Sequence, residues 1–468
     1  MPATAEKDAA ASATAHDEAW RRAIGRRILS EANDLKRTPA ALAADLNWSV
    51  ESVSEIIEGR AGGHQIRQFL IDLVDYYPIS LADLWLDQDD TDAGVRVVTA
   101  AQSKASARIF ERPDRSGKPA PYYEYRDTAM SRNAPYKPEW ISQIRVVDNA
   151  DPDNPDVIYN NGHLMHQTTF FVGPVNFYWE IEGRRYCAEM NTGDSNYITP
   201  FVPHSFASRS PEQNGLIIAV TFAAGVSRAQ REFAAIGREA AEDLAGDLRQ
   251  GRRFAHRLRR QLIIESLADE DFIARLSDYD VDANRARALM DGSAAPLLEE
   301  LESIAAVLTV RSEDLLATGM EAREGAIIDH ADRAKERPYG VIDGSPAYRL
   351  RPLVRSRLQP LMKGFEVTVL GQENAAFQHS LHEFSYNFGE SPVRLHWHKD
   401  REEILDPGDS AYVRPHVRHG FSCVNEKTPG QLVVVRLPGA LTDPVIDEFA
   451  AFEPERRGRL IAEDQTWF

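Results

Sequence analysis

Cysteine is nearly absent. Only Cys187 and Cys423 occur, far apart and without a Cys-x-x-Cys context. They read as two buried thiols in a reducing cytoplasm. No apolar run is long enough to span a bilayer, so no membrane partner is expected. The first sixteen residues, Met1 to His16, lack a basic start and an apolar core, which argues against a signal peptide and for a disordered tail. Positive charge is also short. Lys and Arg number 54 against 72 Asp and Glu, a formal net charge of −18. Such a chain is a poor general binder of nucleic acid, which needs clustered Lys and Arg. What remains is ordinary for a globular protein: 43% hydrophobic and 27% charged residues. At 468 residues, two or more domains are expected.

Two textures alternate along the chain. Residues 17–94 show apolar positions at helical spacing, with Thr38-Pro39 as an N-cap and first-turn pair. A turn at Leu46–Val50 between two such stretches suggests a helix-turn-helix bundle. From 95 to 235, short β-rich runs such as TTFFVGP, NFYWEIEG and LIIAVTF are broken by Gly, Pro, Asn and Asp, the pattern of a sandwich or barrel. Residues 236–325 read as helical again, and 326–468 as β-rich again. SLADLW (Ser80–Trp85) is echoed by RSEDLL (Arg311–Leu316). GDSNYITPFVPHSF (Gly193–Phe206) is echoed by GDSAYVRPHVRHGF (Gly408–Phe421), with Gly-Asp-Ser, Tyr, Pro, His and Phe at the same offsets. So many matched positions indicate an internal duplication. The expected fold is α+β, a tandem repeat of helix-turn-helix-like bundle plus barrel.

Gly193-Asp194-Ser195 followed by Tyr197, Pro200, Pro203, His204 and Phe206 resembles the second conserved motif of the cupins, whose barrel is a double-stranded β-helix. Gly-Asp makes a tight turn into a strand, the prolines fix the loop, and His204 opens the next strand. Upstream lies Asn160-Asn161-Gly162-His163-Leu164-Met165-His166-Gln167. The first cupin motif supplies a His and, four or five residues on, a carboxylate; His163 and Gln167 occupy those places. His163, Gln167 and His204 would form a three-ligand face that leaves up to three open positions on an octahedral ion. His166 is a rival whose ring faces away from His163 if the strand is regular.

NNGH with Gln four residues after the His, then GDS…P…PHSF, resembles the 2-hydroxyethylphosphonate dioxygenase-like family of non-haem iron cupin enzymes, and within it the methylphosphonate synthases. The resemblance covers nearly the whole chain. In the dioxygenases a Glu six residues before the last His completes the ligand set; here that position is Ile198. The synthase-like set is two His and one Gln, which His163, His204 and Gln167 match. The family implies Fe(II), O2 and 2-hydroxyethylphosphonate as partners, no 2-oxoglutarate, and carbon–carbon cleavage to methylphosphonate plus an oxidised one-carbon product. Matched positions imply phosphonate contacts from Tyr125, Asn160 and Arg115, with Lys36 reaching in from the helical bundle; Lys36 and Tyr125 are the residues expected to assist catalysis. A neutral amide leaves an Fe(II) site at +2 rather than +1, which suits a substrate of charge near −2.

In the second repeat His379, Glu383 and His419 align with His163, Gln167 and His204 and form a candidate second metal set. The family implies a single working iron in the first barrel, so the second barrel is expected to be non-catalytic. Two other activities are open, beside oxidation of some other hydroxyalkylphosphonate. One is the dioxygenase outcome, hydroxymethylphosphonate plus formate. The other is a ligand-sensing transcription regulator, disfavoured because the segment Trp48–Gly59 carries Glu51, Glu55 and Glu58 and no Lys or Arg. The expected location is cytoplasmic, and homo-oligomerisation is left open.

Overall fold

The computed structural model describes residues 3–223, 225–245, 253–316, 325–373, 375–425 and 428–462. Its first bundle contains helices Ala3–Asp34, Pro39–Leu46, Val50–Ile57, Gly63–Tyr76 and Leu81–Leu84. The Thr38 hydroxyl accepts from the Ala41 N–H at 3.2 Å and Pro39 opens the helix. Asn47, at φ 58°, ends it, and Ser49 caps the next. Ile24, Ile28, Leu42, Val53, Phe69 and Leu70 fill the centre. The first helix corrects an expectation, because it begins at Ala3 inside the segment read as a disordered tail. That stretch is rich in Ala, whose helix propensity outweighs its lack of apolar periodicity. A second bundle, Arg253–Ile264, Asp269–Ser277, Ala283–Asp291, Leu298–Leu308 and Ser312–Leu315, closes over Leu258, Phe272, Leu276, Leu289 and Ile304. Among the described residues no helix is long and apolar enough to cross a membrane.

Between the bundles run β1 (Val95–Val98), β2 (Arg108–Pro113), β3 (Pro119–Asp127), β4 (Tyr136–Gln143), β5 (His166–Val172), β6 (Val175–Ile181), β7 (Arg184–Met190), β8 (Ser195–Ile198), β9 (His204–Ser208) and β10 (Leu216–Phe222). After the second bundle come β11 (Ala326–Asp329), β12 (Arg337–Ile342), β13 (Ser345–Pro352), β14 (Lys363–Val369), β15 (His382–Asn387), β16 (Val393–Trp397), β17 (Arg401–Leu405), β18 (Ser410–Val413), β19 (His419–Cys423) and β20 (Gly430–Leu437). They form antiparallel sheets. The two large ones have the orders β11-β8-β5-β10-β4-β3-β2 and β1-β18-β15-β20-β14-β13-β12, and the two small ones β7-β6-β9 and β17-β16-β19. Each order maps onto the other strand for strand.

In the first half, Phe171 and Ile217 of the large sheet pack with Phe177 and Phe206 of the small one. Val367, Leu395, Val413 and Phe421 do the same in the second. The other faces of the two large sheets meet back to back through Phe170, Tyr197, Val220, Phe384, Tyr412 and Val435. With both faces covered, β5 is buried along almost its whole length.

The expected boundaries shift in four places. β1, assigned to the first barrel, pairs with β18, and β11, assigned to the second, pairs with β8. Each edge is thereby capped by a strand from the other half. The first-half strands end at Phe222, and helix Val226–Ala245 begins inside the range read as barrel. The chain also continues past β20 into helices Asp443–Ala450 and Pro454–Ala462, where strands were expected. Thr442, Asp443 and Pro444 supply the start signal for the first of these.

The repeated Gly-Asp-Ser phrase joins the halves. Asp194 accepts from the Ala331 N–H at 2.8 Å and Asp409 from the Ala100 N–H at 2.6 Å. The Ser195 hydroxyl accepts from the Val354 N–H at 2.9 Å, and Ser410 from the Ala129 N–H at 2.8 Å.

Candidate metal centre

The loop before β5 and the loop before β9 are interlocked. Asn160 Oδ1 accepts from the His204 and Gly162 backbone N–H groups, each at 2.9 Å. The Phe201 N–H donates to the His163 carbonyl at 2.8 Å. Gly162 sits at φ 70°, and a Cβ there would lie 2.4 Å from the Phe201 carbonyl carbon, so only glycine fits. This clamp brings His163 and His204 together with ring centroids 5.3 Å apart.

Hydrogen bonds then set each donor atom. His163 Nδ1 donates to the Met165 carbonyl at 2.7 Å, and His204 Nδ1 to the Val202 carbonyl at 2.8 Å. Both rings therefore carry their proton on Nδ1 and present a lone pair at Nε2. His204 Nε2 accepts from Asn160 Nδ2 at 3.1 Å. The Gln167 amide nitrogen donates to the Thr169 hydroxyl at 2.8 Å, which turns Oε1 to face His163 Nε2 at 3.1 Å. Two acceptors thus face each other, and a cation between them removes the repulsion. Burial, reinforced by the nearby His163 and Arg112, pushes the His204 imidazole down to about 4 against the opposing Val202 carbonyl, so it is neutral at physiological pH, as a ligand must be. His166 points the other way. Its Nδ1 accepts from the Tyr197 hydroxyl at 2.7 Å on the face toward the second half.

Ile198 lies directly across the strand pair from Gln167, and Thr221 flanks it on the other side. Ile198 is fully buried in the apolar interior. The structure thus places the Gln beside the position where the dioxygenase pattern has its Glu.

The anion-contact candidates divide. Tyr125 faces the same interior; burial, with Glu139 adding, raises its hydroxyl to about 12 against the opposing Arg112 and Arg108 charges, so it stays a proton donor. Asn160 bonds His204 as described. Arg115 requires correction. It lies in the β2–β3 turn, exposed, with both guanidinium arms on the Asp156 carboxylate at 2.9 and 2.6 Å. Arg112, whose charge lowers the pKa of both His204 and Tyr125, lies over the Phe110 ring at 5.1 Å, and its Nε is buried without a hydrogen-bond partner. The sequence reading missed it because a β-bulge at Phe110/Glu111 shifts the hairpin register. Arg108-x-Phe110-x-Arg112 alternation in β2 was the available signal. Glu139 was also missed. Burial raises its carboxyl, opposed by Arg108, whose Nη2 is 3.8 Å away, and by His163. Lys36 is exposed in the left-handed turn after the first helix, with its ammonium on the Asn33 carbonyl at 3.1 Å. The linker after its bundle is tied to the second half by Arg414–Asp89 and Arg401–Asp92 ion pairs.

The second-half set also comes together. His379 Nε2 donates to Glu383 Oε2 at 3.1 Å and His419 Nε2 to Glu383 Oε1 at 2.9 Å. Arg436 Nε donates to Glu383 Oε2 at 2.6 Å.

No family model matches the chain. It is 34% identical over 453 residues, 95% of both chains, to methylphosphonate synthase of Nitrosopumilus maritimus (strain SCM1). A solved structure of Streptomyces albus HEPD with substrate 2-hydroxyethylphosphonate and Fe(II) bound superposes with a TM-score of 0.87 at 35% identity, covering 97% of this chain and all of that one. PhpD with cadmium shares the fold at a TM-score of 0.70 and 17% identity, covering 94% of this chain and 99% of its own. The architecture defines an enzyme of the phosphonate dioxygenase and synthase class. Within that class, the chain belongs to the methylphosphonate synthase family.

Proposed function

We propose that the protein cleaves the carbon–carbon bond of 2-hydroxyethylphosphonate with O2 and releases methylphosphonate. Each half is read as a helix-turn-helix-like bundle with a double-stranded β-helix (cupin) barrel, and the first barrel as the catalytic one. His163, Gln167 and His204 hold Fe(II). The observation that carries this reading is the facing of His163 Nε2 and Gln167 Oε1, two lone pairs fixed by separate hydrogen bonds. The set fits the ion: two imidazoles and one amide oxygen occupy three positions of an octahedral ion and leave three for exogenous ligands.

Bound there, iron(II) supplies open coordination positions and the one-electron chemistry that O2 requires. The chain's own residues bind and orient. Arg112 meets the phosphonate charge from one side, and Tyr125 donates a hydrogen bond to it. Asn160 fixes His204 and presents its amide at the same edge. The apolar wall of Ile198, Phe206 and Val202 excludes bulk water. The balance closes without an added reductant. Loss of the hydroxymethyl carbon as CO2 is a four-electron oxidation, and one O2 accepts four electrons.

Phosphorus NMR of anaerobically iron-loaded protein given 2-hydroxyethylphosphonate and then air tests the reading. Methylphosphonate as product supports it. Hydroxymethylphosphonate, or unchanged substrate with a full iron load, overturns it.

A further inference from the structure

We propose that the second half contains a complete metal-ligand triad closed by an internal cation, the Arg436 guanidinium. Replacing this single residue by the Thr of the equivalent position converts the triad to a divalent-metal site. The inference goes beyond the proposed catalytic function and concerns a separate set of residues.

Donor atoms of His379, Glu383 and His419 lie within 4.8 Å of one another. Part of the first-half pattern is repeated: His379 Nε2 meets Glu383 at 3.1 Å as His163 Nε2 meets Gln167. His419 Nδ1 meets the Val417 carbonyl at 2.9 Å, as His204 Nδ1 meets that of Val202. The ring proton on Nε2 is the difference. In the first half both Nε2 atoms are lone pairs. In the second, Glu383 draws protons onto both, so its two oxygens accept from His379, His419 and Arg436 together. Glu383 is fully buried. A buried carboxylate needs a counter-cation. Here it has one, held in place by the Phe377 and Phe365 rings at 4.8 and 5.4 Å.

Strand register identifies the responsible residue. Glu383 pairs across to Arg436 on β20, whereas Gln167 pairs across to Thr221 on β10. A cavity of about 310 Å³ lined by His396, His398, Arg401 and Arg418 opens onto His419. The guanidinium sits on the Glu383 oxygen that an ion would need, so a metal would have to displace Arg436.

Co(II) titration of metal-free full-length protein, followed by its visible absorption and by elemental analysis, tests this. Wild type is expected to bind one equivalent. Arg436→Thr, and Arg436→Met as the volume-keeping variant, bind two, and adding His419→Ala returns either to one. Arg436→Lys keeps one, because the cation remains. Two equivalents in wild type, with one lost on His419→Ala, would overturn the closure. So would a single equivalent in the variant, Thr or Met, that retains the wild-type circular dichroism. A wild type that binds none beside an Arg436→Thr protein that binds one, lost on His419→Ala, would sustain this inference while removing the proposed first-half centre.

Discussion

Gln167 and Ile198 stand directly opposite each other on neighbouring antiparallel strands, both buried in the interior of the first half. Directly opposed side chains have Cβ atoms about 4.5–5.5 Å apart, so either position can address the same ion. Removing the amide by Gln167→Ala should weaken Fe(II) binding by at least tenfold, read by equilibrium dialysis. Ile198→Glu in that background should restore it, because the carboxylate enters from the adjoining strand. Gln167→Glu should keep the metal but change the rate or the product ratio. Unchanged iron affinity in Gln167→Ala would remove the amide from the ligand set.

Arg112 and Arg115 should separate cleanly in steady-state kinetics. A charged hydrogen bond to substrate contributes about 1.5–3 kcal/mol, so Arg112→Ala should raise KM or lower kcat/KM roughly 10- to 100-fold. The exposed Arg115–Asp156 pair contributes about 1 kcal/mol or less to stability, and Arg115→Ala should leave kinetics within about threefold. Equal losses in both variants would contradict the placement of Arg112.

The Gly-Asp-Ser turns should behave as joints between the halves rather than as catalytic groups. Asp194→Ala orphans the Ala331 and Asn191 N–H donors, and Asp409→Ala those of Ala100 and Asp406. Each should cost about 2–4 kcal/mol in urea unfolding, with metal content retained in the folded protein. Because β1 and β11 are exchanged, the halves should unfold in one transition. Two well-separated transitions in the wild type would contradict that coupling.

Much of this was legible in the sequence, for identifiable reasons. The echo of Gly193–Phe206 in Gly408–Phe421 is visible because the same turn, cross-link and ring must be built twice. His163, Gln167 and His204 could be singled out because each is a polar residue at a fixed offset within a motif; His163 Nε2 lies 3.1 Å from Gln167 Oε1 and its ring 5.3 Å from that of His204. Strand exchange was not legible: Val95–Val98 and Ala326–Asp329 look like any short strand, and their partners lie over a hundred residues away. Arg112 was passed over because a bulge alters the count between hairpin partners, and the Arg108-x-Phe110-x-Arg112 alternation was its one mark in the sequence. Arg436 escaped because its partner across the sheet is set by register alone.

Cys187 should be a sluggish nucleophile. Burial, with Glu189 adding, pushes its thiol up to about 12, so the thiolate is scarce at neutral pH and grows with pH. Iodoacetamide labelling of native protein should be negligible at pH 7.5, rise steeply with pH, and become rapid on unfolding. Fast labelling at neutral pH would place that thiol in a different environment.

The most direct test of the central claim is an anaerobic crystal structure of the Fe(II)-loaded protein with anomalous scattering at the iron edge. One peak within bonding distance of His163 Nε2, Gln167 Oε1 and His204 Nε2 is the predicted result. Iron bound elsewhere, or held by the two imidazoles with the amide oxygen turned away, would contradict the account.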